Sequence, residues 1–291
     1  MPPELVTQLR RAGCAFAEDE ARLLIGQARD PDELAAMVER RLLGLPLEQV
    51  LGWAEFGGLR VMLEPGVFVP RRRTELLAEL AVVVAAAATP ATNGCPVVVE
   101  LCCGSGAVSA VVLAALDRVE LHSCDLDPVA VRCARGNLGE RAHVSQGDLY
   151  AALPARLAGH VDVLVANAPH VPDAELALMP REARLHEPPA ALAGGVDGLD
   201  VLRVVIAGAP GWLAAGGALL VECGAPQVIE VAGLMDGAGL RVEVVHSQER
   251  GATVLIGRSG GAGIGSGAVR AVGEPAVLGA VELRVTATGG Q

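Results

Sequence analysis

From Pro96 onward the chain switches between two kinds of segment at regular intervals, and this alternation constrains the fold more than any other feature. Short apolar runs of strand type fall at 97–101, 119–124, 143–146, 161–166, 218–222, 241–246 and 253–256. Between them lie longer segments such as "DPVAVRCARGNLG", "LDVLRVVIAGAPGWLAAG" and "PQVIEVAGLMDGAG", whose apolar residues recur at helical spacing. Strands alternating with helices predict a parallel sheet with right-handed crossovers. Only "SQERGA" separates the last two strands, which is too short for a crossover, so these two are expected to pair antiparallel. The expected fold is α/β, a Rossmann-like seven-stranded, mostly parallel sheet with an antiparallel terminal hairpin.

The segments before this region differ. Residues 1–52 read as short helices, one of them opened by Asp30 as N-cap and Pro31 at its first position. They form a small N-terminal helical domain, expected to recognise the substrate. Residues 53–94 read as a β-hairpin, with alternating Leu59, Val61 and Leu63, and a linking helix. The sheet then occupies 95–258, and 259–291 begins Gly/Ser-rich and is expected to be a flexible tail in which "AVELRVTA" could form a stray strand.

Charge and composition narrow the function. Of 291 residues, 52% are hydrophobic, enough for a full core, and the formal charge is −11. A nucleic-acid partner is not expected, because phosphate binding needs a basic face and the 2% aromatic content offers few stacking platforms. All 23 basic residues are arginine, a pattern of coding bias rather than of chemistry. The seven cysteines lack the spacing of a zinc site and read as reduced, small buried hydrophobes, so no metal is expected. "MPPELVTQLRRAG" lacks the apolar core of a signal peptide, and the run 76–88 is too short for a bilayer and is broken by Glu79. The expectation is a soluble, cytoplasmic protein with no membrane partner.

"VVVELCCGSGAVSAVVLAAL" has the order strand, Gly-containing turn, helix. Gly104 and Gly106 are expected to let the backbone approach a ligand at a helix N-terminus. Asp125, 19 residues past Gly106, ends the second strand, where an acid binds ribose hydroxyls in such folds. Position 109 is Ser where a dinucleotide cradle has its third glycine, and Glu100 on the preceding strand would repel a pyrophosphate. A sulfonium amino acid is tolerated there, so these residues favour S-adenosylmethionine. Asp148, after the third strand, is placed to accept from an adenine amino group.

The fourth strand ends "VDVLVANAPH": an asparagine, then a proline that cannot donate to a ladder. With "FVPRRRTELL" (68–77), "ELCCGSGA" (100–107), "HEPPAALAGGVDGLD" (186–200) and "LLVECG" (219–224), in that order, the chain resembles the protein-(glutamine-N5) methyltransferases that modify peptide chain release factors. These are class I methyltransferases, and the similarity covers about residues 20–257. The resemblance implies a catalytic set of Asn167, Ala168, Pro169 and His170. It implies cofactor contacts at Glu100, Cys102, Cys103, Gly104, Ser105 and Gly106, at Asp125 and Leu126, at Asp148 and Leu149, and at Asn167, Arg71 and Thr74. It also implies S-adenosylmethionine as cofactor, S-adenosylhomocysteine as product, and a release factor's Gly-Gly-Gln loop as protein substrate. Glu187-Pro188 is expected to brace the loop after the asparagine.

The chemistry suits an asparagine. An amide nitrogen is a poor nucleophile, and if Asn167 Oδ1 and the Ala168 carbonyl each accept one N–H they fix the NH2 group beside the methyl donor. Two residues depart from the family pattern. Ala168 stands for its first proline and His170 for its tyrosine, whose ring packs on the planar amide. The alternatives are N-methylation of a small molecule, for which His170 is the best support, of a nucleic-acid adenine, or a cofactor-binding protein without turnover.

Overall fold

The computed structural model describes residues 2–88, 94–260 and 270–272. Helices α1 (Pro3–Arg11), α2 (Ala17–Gln27), α3 (Pro31–Leu42) and α4 (Leu47–Leu51) form the N-terminal unit. They close around Leu9, Ala17, Ala21 and Leu24, all fully buried. Asp30 accepts the Glu33 N–H at 2.8 Å and so caps α3, with Pro31 at its first position. Gly52, in the left-handed region, turns the chain into a hairpin of β1 (Trp53–Phe56) and β2 (Leu59–Met62).

Arg41 ties this unit to the rest of the molecule. It pairs with the buried Glu20 at 2.6 Å and reaches Glu182 at 3.2 Å. Gln49 does the same with its amide, donating to the carbonyls of Val67 and His186.

One 3₁₀ turn, Arg72–Thr74, leads into α5 (Glu75–Ala87). Then follow β3 (Val97–Leu101), α6 (Ala107–Ala115), β4 (Glu120–Asp125), α7 (Pro128–Leu138), β5 (His143–Gln146), β6 (Val161–Ala166), α8 (Arg181–His186) and α9 (Asp200–Trp212). The remaining elements are β7 (Leu213–Glu222), α10 (Val228–Gly237), β8 (Leu240–Ser247), β9 (Ala252–Ser259) and β10 (Arg270–Val272). The sheet order is β10-β8-β9-β7-β6-β3-β4-β5. β3, β4, β5, β6 and β7 run parallel, and β9 runs antiparallel to both β7 and β8.

The seven expected strands, mostly parallel with an antiparallel terminal hairpin, are therefore present. Two details differ. β7 starts at Leu213, where "WLAAG" was expected to continue the helix, because Val161 already pairs with Leu213 before a register shift. A short eighth strand, β10, adds parallel to β8 within the segment expected to be a flexible tail. The other tail residues beyond Gly260, including "AVELRVTA", lie outside the described residues.

Both sheet faces are covered, which is why the central strands read as unbroken apolar runs. Val98, Val163, Val165 and Leu220 face α5 and α6, while Val99, Leu164 and Leu219 pack with Leu202, Val205 and Ile206 of α9 and Met235 of α10. From β3 the chain moves outward to β4 and β5, then returns to β6 on the other side of β3. That reversal opens a crevice beyond the carboxyl ends of β3 and β6, where ligands bind in open α/β sheets. No helix among the described residues is long and apolar enough to cross a membrane.

Candidate active site at the carboxyl edge of the sheet

A cavity of about 750 Å³ fills this crevice. It is lined by Arg71 and Thr74, by Glu100 and 102–105, by Asp125 and Leu126, by Asp148 and Leu149, and by 167–170. Every residue expected at the site lines it except Gly106.

The turn after β3 is tight. Cys102, Gly104 and Gly106 all have positive φ, at 55°, 54° and 75°. Cys102 and Leu149 (φ 45°) are the two non-glycine residues in this region of the backbone map among the described residues, and both line the cavity. Strain of this kind collects at functional sites. The two glycines serve different ends. A Cβ at Gly104 would meet nothing within 4 Å, so the backbone there faces open space. A Cβ at Gly106 would meet Leu138 at 3.1 Å and Ala134 at 3.3 Å. Gly106 thus lies close against α7 at a positive φ, and it is the one expected residue that does not line the cavity.

Asp125 accepts the Gly104 N–H at 2.8 Å and the Asp127 N–H at 2.9 Å, and burial raises its carboxyl. Its two oxygens hold the β3 and β4 loops together at the cavity wall. Glu100 is buried under the turn. It accepts the Ser109 N–H at 3.0 Å and the Ser109 hydroxyl, which in turn meets the Ser123 hydroxyl at 2.7 Å. The carboxyl therefore caps the first turn of α6 from below. Burial pushes it up to about 7, against the hydrogen bonds from Ser109. Burial also pushes the Cys124 thiol up to about 12 and raises those of Cys102 and Cys103. These thiols stay protonated, so the cradle offers no thiolate nucleophile.

Asn167 follows β6 directly. Its Nδ2 donates to the Thr74 hydroxyl at 3.2 Å, which fixes the amide plane and leaves Oδ1 as the acceptor. Thr74 was expected among the cofactor contacts; in the structure its hydroxyl orients the asparagine. The Ala168 carbonyl accepts from His170 Nδ1 at 2.8 Å and retains one lone pair.

The loop after Asn167 is braced by the "HEPPAALAGGVDGLD" segment. The Val171 N–H donates to the Leu192 carbonyl at 3.0 Å, and the Gly194 N–H donates back to the Val171 carbonyl at 2.9 Å. Gln227 donates one amide to both the His170 and Asp197 carbonyls. Leu192 and Gly194 thus hold Val171, and Gln227 holds the His170 backbone.

Two arginines of the "RRR" run, Arg71 and Arg73, are paired. Arg71 stacks on Phe68 and donates at 2.6 Å to each oxygen of Glu187, whose side chain is fully buried. Burial raises the Glu187 carboxyl, and the Arg71 guanidinium acts against that. Arg73 donates to Glu222 at 2.8 Å and lies 3.5 Å from His170 Nε2. Glu222, at the end of β7, was not expected at the site. Its Oε2 is buried without a partner. The signal was an acid closing an otherwise apolar strand in "LLVECG".

Residues 59–195 match the family described as "Methyltransferase small domain". A release factor glutamine methyltransferase of Geobacter sulfurreducens is 34% identical over 216 residues, 72% of this chain and 72% of the relative. A 4-amino-L-phenylalanine/4-methylamino-L-phenylalanine methyltransferase of Streptomyces pristinaespiralis is 36% identical over 203 residues, 69% of each chain. Among solved structures, a methyltransferase from Pyrococcus furiosus has a TM-score of 0.50 at 15% identity, covering 76% of this chain and 98% of that one, a likeness of fold.

Proposed function

This chain belongs to the release factor glutamine methyltransferase family, and on that premise we propose that it methylates the side-chain nitrogen of a protein glutamine, in the Gly-Gly-Gln loop of a peptide chain release factor, with S-adenosylmethionine as donor. The observation that carries the reading is Asn167, whose amide is turned by Thr74 so that Oδ1 accepts beside the Ala168 carbonyl.

The residues present fit the donor. Open space over Gly104 admits a ligand against the backbone, and the carboxyls of Asp125 and Asp148 stand on the same cavity wall. Asp125 would take the ribose hydroxyls, and Asp148 with Leu149 the adenine. The bound donor supplies an electrophilic methyl on a positively charged sulfur.

The chain's own residues do the positioning. Asn167 Oδ1 and the free lone pair on the Ala168 carbonyl accept the two amide hydrogens of the glutamine. This orients the nitrogen lone pair and concentrates density on it as charge develops. Pro169 limits the backbone between them. Arg71 and Glu187 hold together the two segments that flank the acceptor end of the cavity.

The test is to combine purified protein, S-adenosylmethionine and a release factor and read the Gly-Gly-Gln peptide by mass spectrometry. One added methyl on the glutamine, absent with Asn167→Ala, supports the reading. An unmodified peptide, with donor binding intact by calorimetry, removes the release factor as substrate.

A second reading rests on His170 in the position of the family tyrosine, together with the relative named for 4-amino-L-phenylalanine. In it the acceptor is the amine of a small molecule, and the same assay with that amino acid in place of the release factor tests it.

A further inference from the structure

The acceptor nitrogen must lose a proton during N-methylation, and nothing assigned so far receives it. Asn167 Oδ1 and the Ala168 carbonyl are too weakly basic. Among the cavity's carboxyls, Glu100 accepts from Ser109, Asp127 from the Val129 N–H, Glu182 pairs with Arg41 and Asp200 with Arg203, while Asp125 and Asp148 are assigned to the donor's ribose and adenine. His170 is the neutral base at the acceptor end of the cavity.

Its tautomer follows from its partner. Nδ1 lies 2.8 Å from the Ala168 carbonyl oxygen, which can only accept, so Nδ1 carries the hydrogen and Nε2 presents a bare lone pair. The neighbour of Nε2 is Arg73 Nη2 at 3.5 Å, the outer limit of a hydrogen bond, with Arg73 itself held at Nε by Glu222 at 2.8 Å. We infer that His170 Nε2 is the proton acceptor of the methyl transfer, a catalytic role that the tyrosine of the resembled family cannot fill. The inference rests on the methyl-transfer reading above and holds for either acceptor.

The step balances. The nitrogen lone pair forms the N–CH3 bond as the CH3–S bond breaks, and that bonding pair stays on sulfur. The nitrogen, now cationic, keeps the hydrogen held by Asn167 Oδ1 and gives to Nε2 the one it had shared with the Ala168 carbonyl, and that N–H pair returns to nitrogen. The products are the neutral methylated acceptor, the neutral thioether and an imidazolium, which later passes its proton to water.

Two charged groups act on the ring: Arg73 from the turn before α5, and Glu222 from the end of β7. Burial and Arg73 keep the resting ring neutral. Glu222, with Oε2 unpartnered, supplies the countercharge when the ring takes a proton. Gln227 fixes the His170 backbone through its carbonyl, and the Ala168 carbonyl fixes the ring through Nδ1.

Nitrogen-15 spectra of the full chain with labelled histidine, at pH 8, read the tautomer without any turnover, and loss of one signal in His170→Tyr assigns it. The expected result is a hydrogen on Nδ1 and none on Nε2; a hydrogen on Nε2 overturns the inference. Single-turnover rates against pH give the second readout. The wild-type rate is expected to fall about tenfold per pH unit below the imidazole pKa. His170→Tyr keeps donor affinity but lacks that limb, and added imidazole raises the rate of His170→Ala several-fold. An acid limb that persists in His170→Tyr overturns the inference. If the Gly-Gly-Gln peptide is not methylated by the wild type, the substrate assignment fails, and the profiles are taken on 4-amino-L-phenylalanine. The tautomer decides the role of His170 in either case.

Discussion

Asn167 and Thr74, 93 positions apart in the chain, meet through a 3.2 Å hydrogen bond from Nδ2 to the buried hydroxyl. The bond decides which face of the asparagine amide is left for a substrate. Thr74→Val keeps the shape and removes the acceptor, so the amide is free to rotate and Nδ2 loses its partner. A lost partner of this kind costs about 1–3 kcal/mol, so kcat is expected to fall tenfold to a hundredfold, roughly. Thr74→Ser should retain most of the rate. Donor affinity by calorimetry should be unchanged in both; a loss of affinity without a loss of kcat would return Thr74 to the cofactor contacts.

Gly104 and Gly106 separate ligand space from packing space. Both have positive φ, so alanine costs about 1 kcal/mol of backbone strain at either position. Gly104→Ala places a methyl in the open cavity and is expected to weaken S-adenosylmethionine binding tenfold or more, with a small shift in the unfolding midpoint. Gly106→Ala also presses on Leu138 and Ala134 and should lose about 3 kcal/mol of stability. Calorimetry and urea unfolding of the two variants check this; equal affinities would place Gly104 outside the donor site.

The sheet was legible because both of its faces are covered: each central strand is an apolar run, and the "SQERGA" connector is too short for a crossover. The same pattern located Asp125, Asp148 and Asn167, since residues at strand carboxyl ends share one edge. What the sequence could not show was pairing across long separations. Arg71 with Glu187 and Arg73 with Glu222 join residues more than 100 positions apart, and local spacing carries no sign of either. A single sequence likewise cannot say which of two nearby glycines faces solvent, because each is fixed by what packs against it. The early end of α9 was missed for a similar reason, as Leu213 is drawn into the sheet by Val161.

Arg71 and Glu187 form an asymmetric pair. The Glu187 side chain is fully buried, while Arg71 keeps about a third of its side chain exposed. Arg71→Met leaves a carboxylate buried without its cation and is expected to lose about 3 kcal/mol of stability at pH 8. Glu187→Gln should lose less, because Arg71 can turn to water. In the Arg71 variant the bare Glu187 carboxyl has a pKa above its unfolded value. The folded form then holds a proton that the unfolded form has lost, so its stability should recover as pH falls towards 5. Urea unfolding of both variants at pH 8 and pH 5 reads this directly; a loss that is the same at both values would show that Glu187 remains paired.

Glu100 gives the clearest dependence on pH. Its carboxyl ordinarily titrates near 4.5 and is raised to about 7 in the folded chain, chiefly by burial. Below the unfolded pKa both states carry the proton and nothing is lost. Between about 4.5 and 7 the folded state keeps a proton that the unfolded state gives up, so stability falls as pH rises through this window and levels off above it. The full effect is of the order of 3 kcal/mol. Glu100→Gln keeps an oxygen for the Ser109 N–H and hydroxyl but cannot ionise. The variant should match the wild type near pH 4.5 and become the more stable of the two by pH 8. Other titrating groups, Asp125 among them, contribute to both proteins and cancel in the difference. Parallel urea curves at half-unit pH steps give that difference. If it does not change between pH 5 and pH 8, Glu100 is ionised throughout, and its charge is then held by the α6 terminus and the Ser109 hydroxyl.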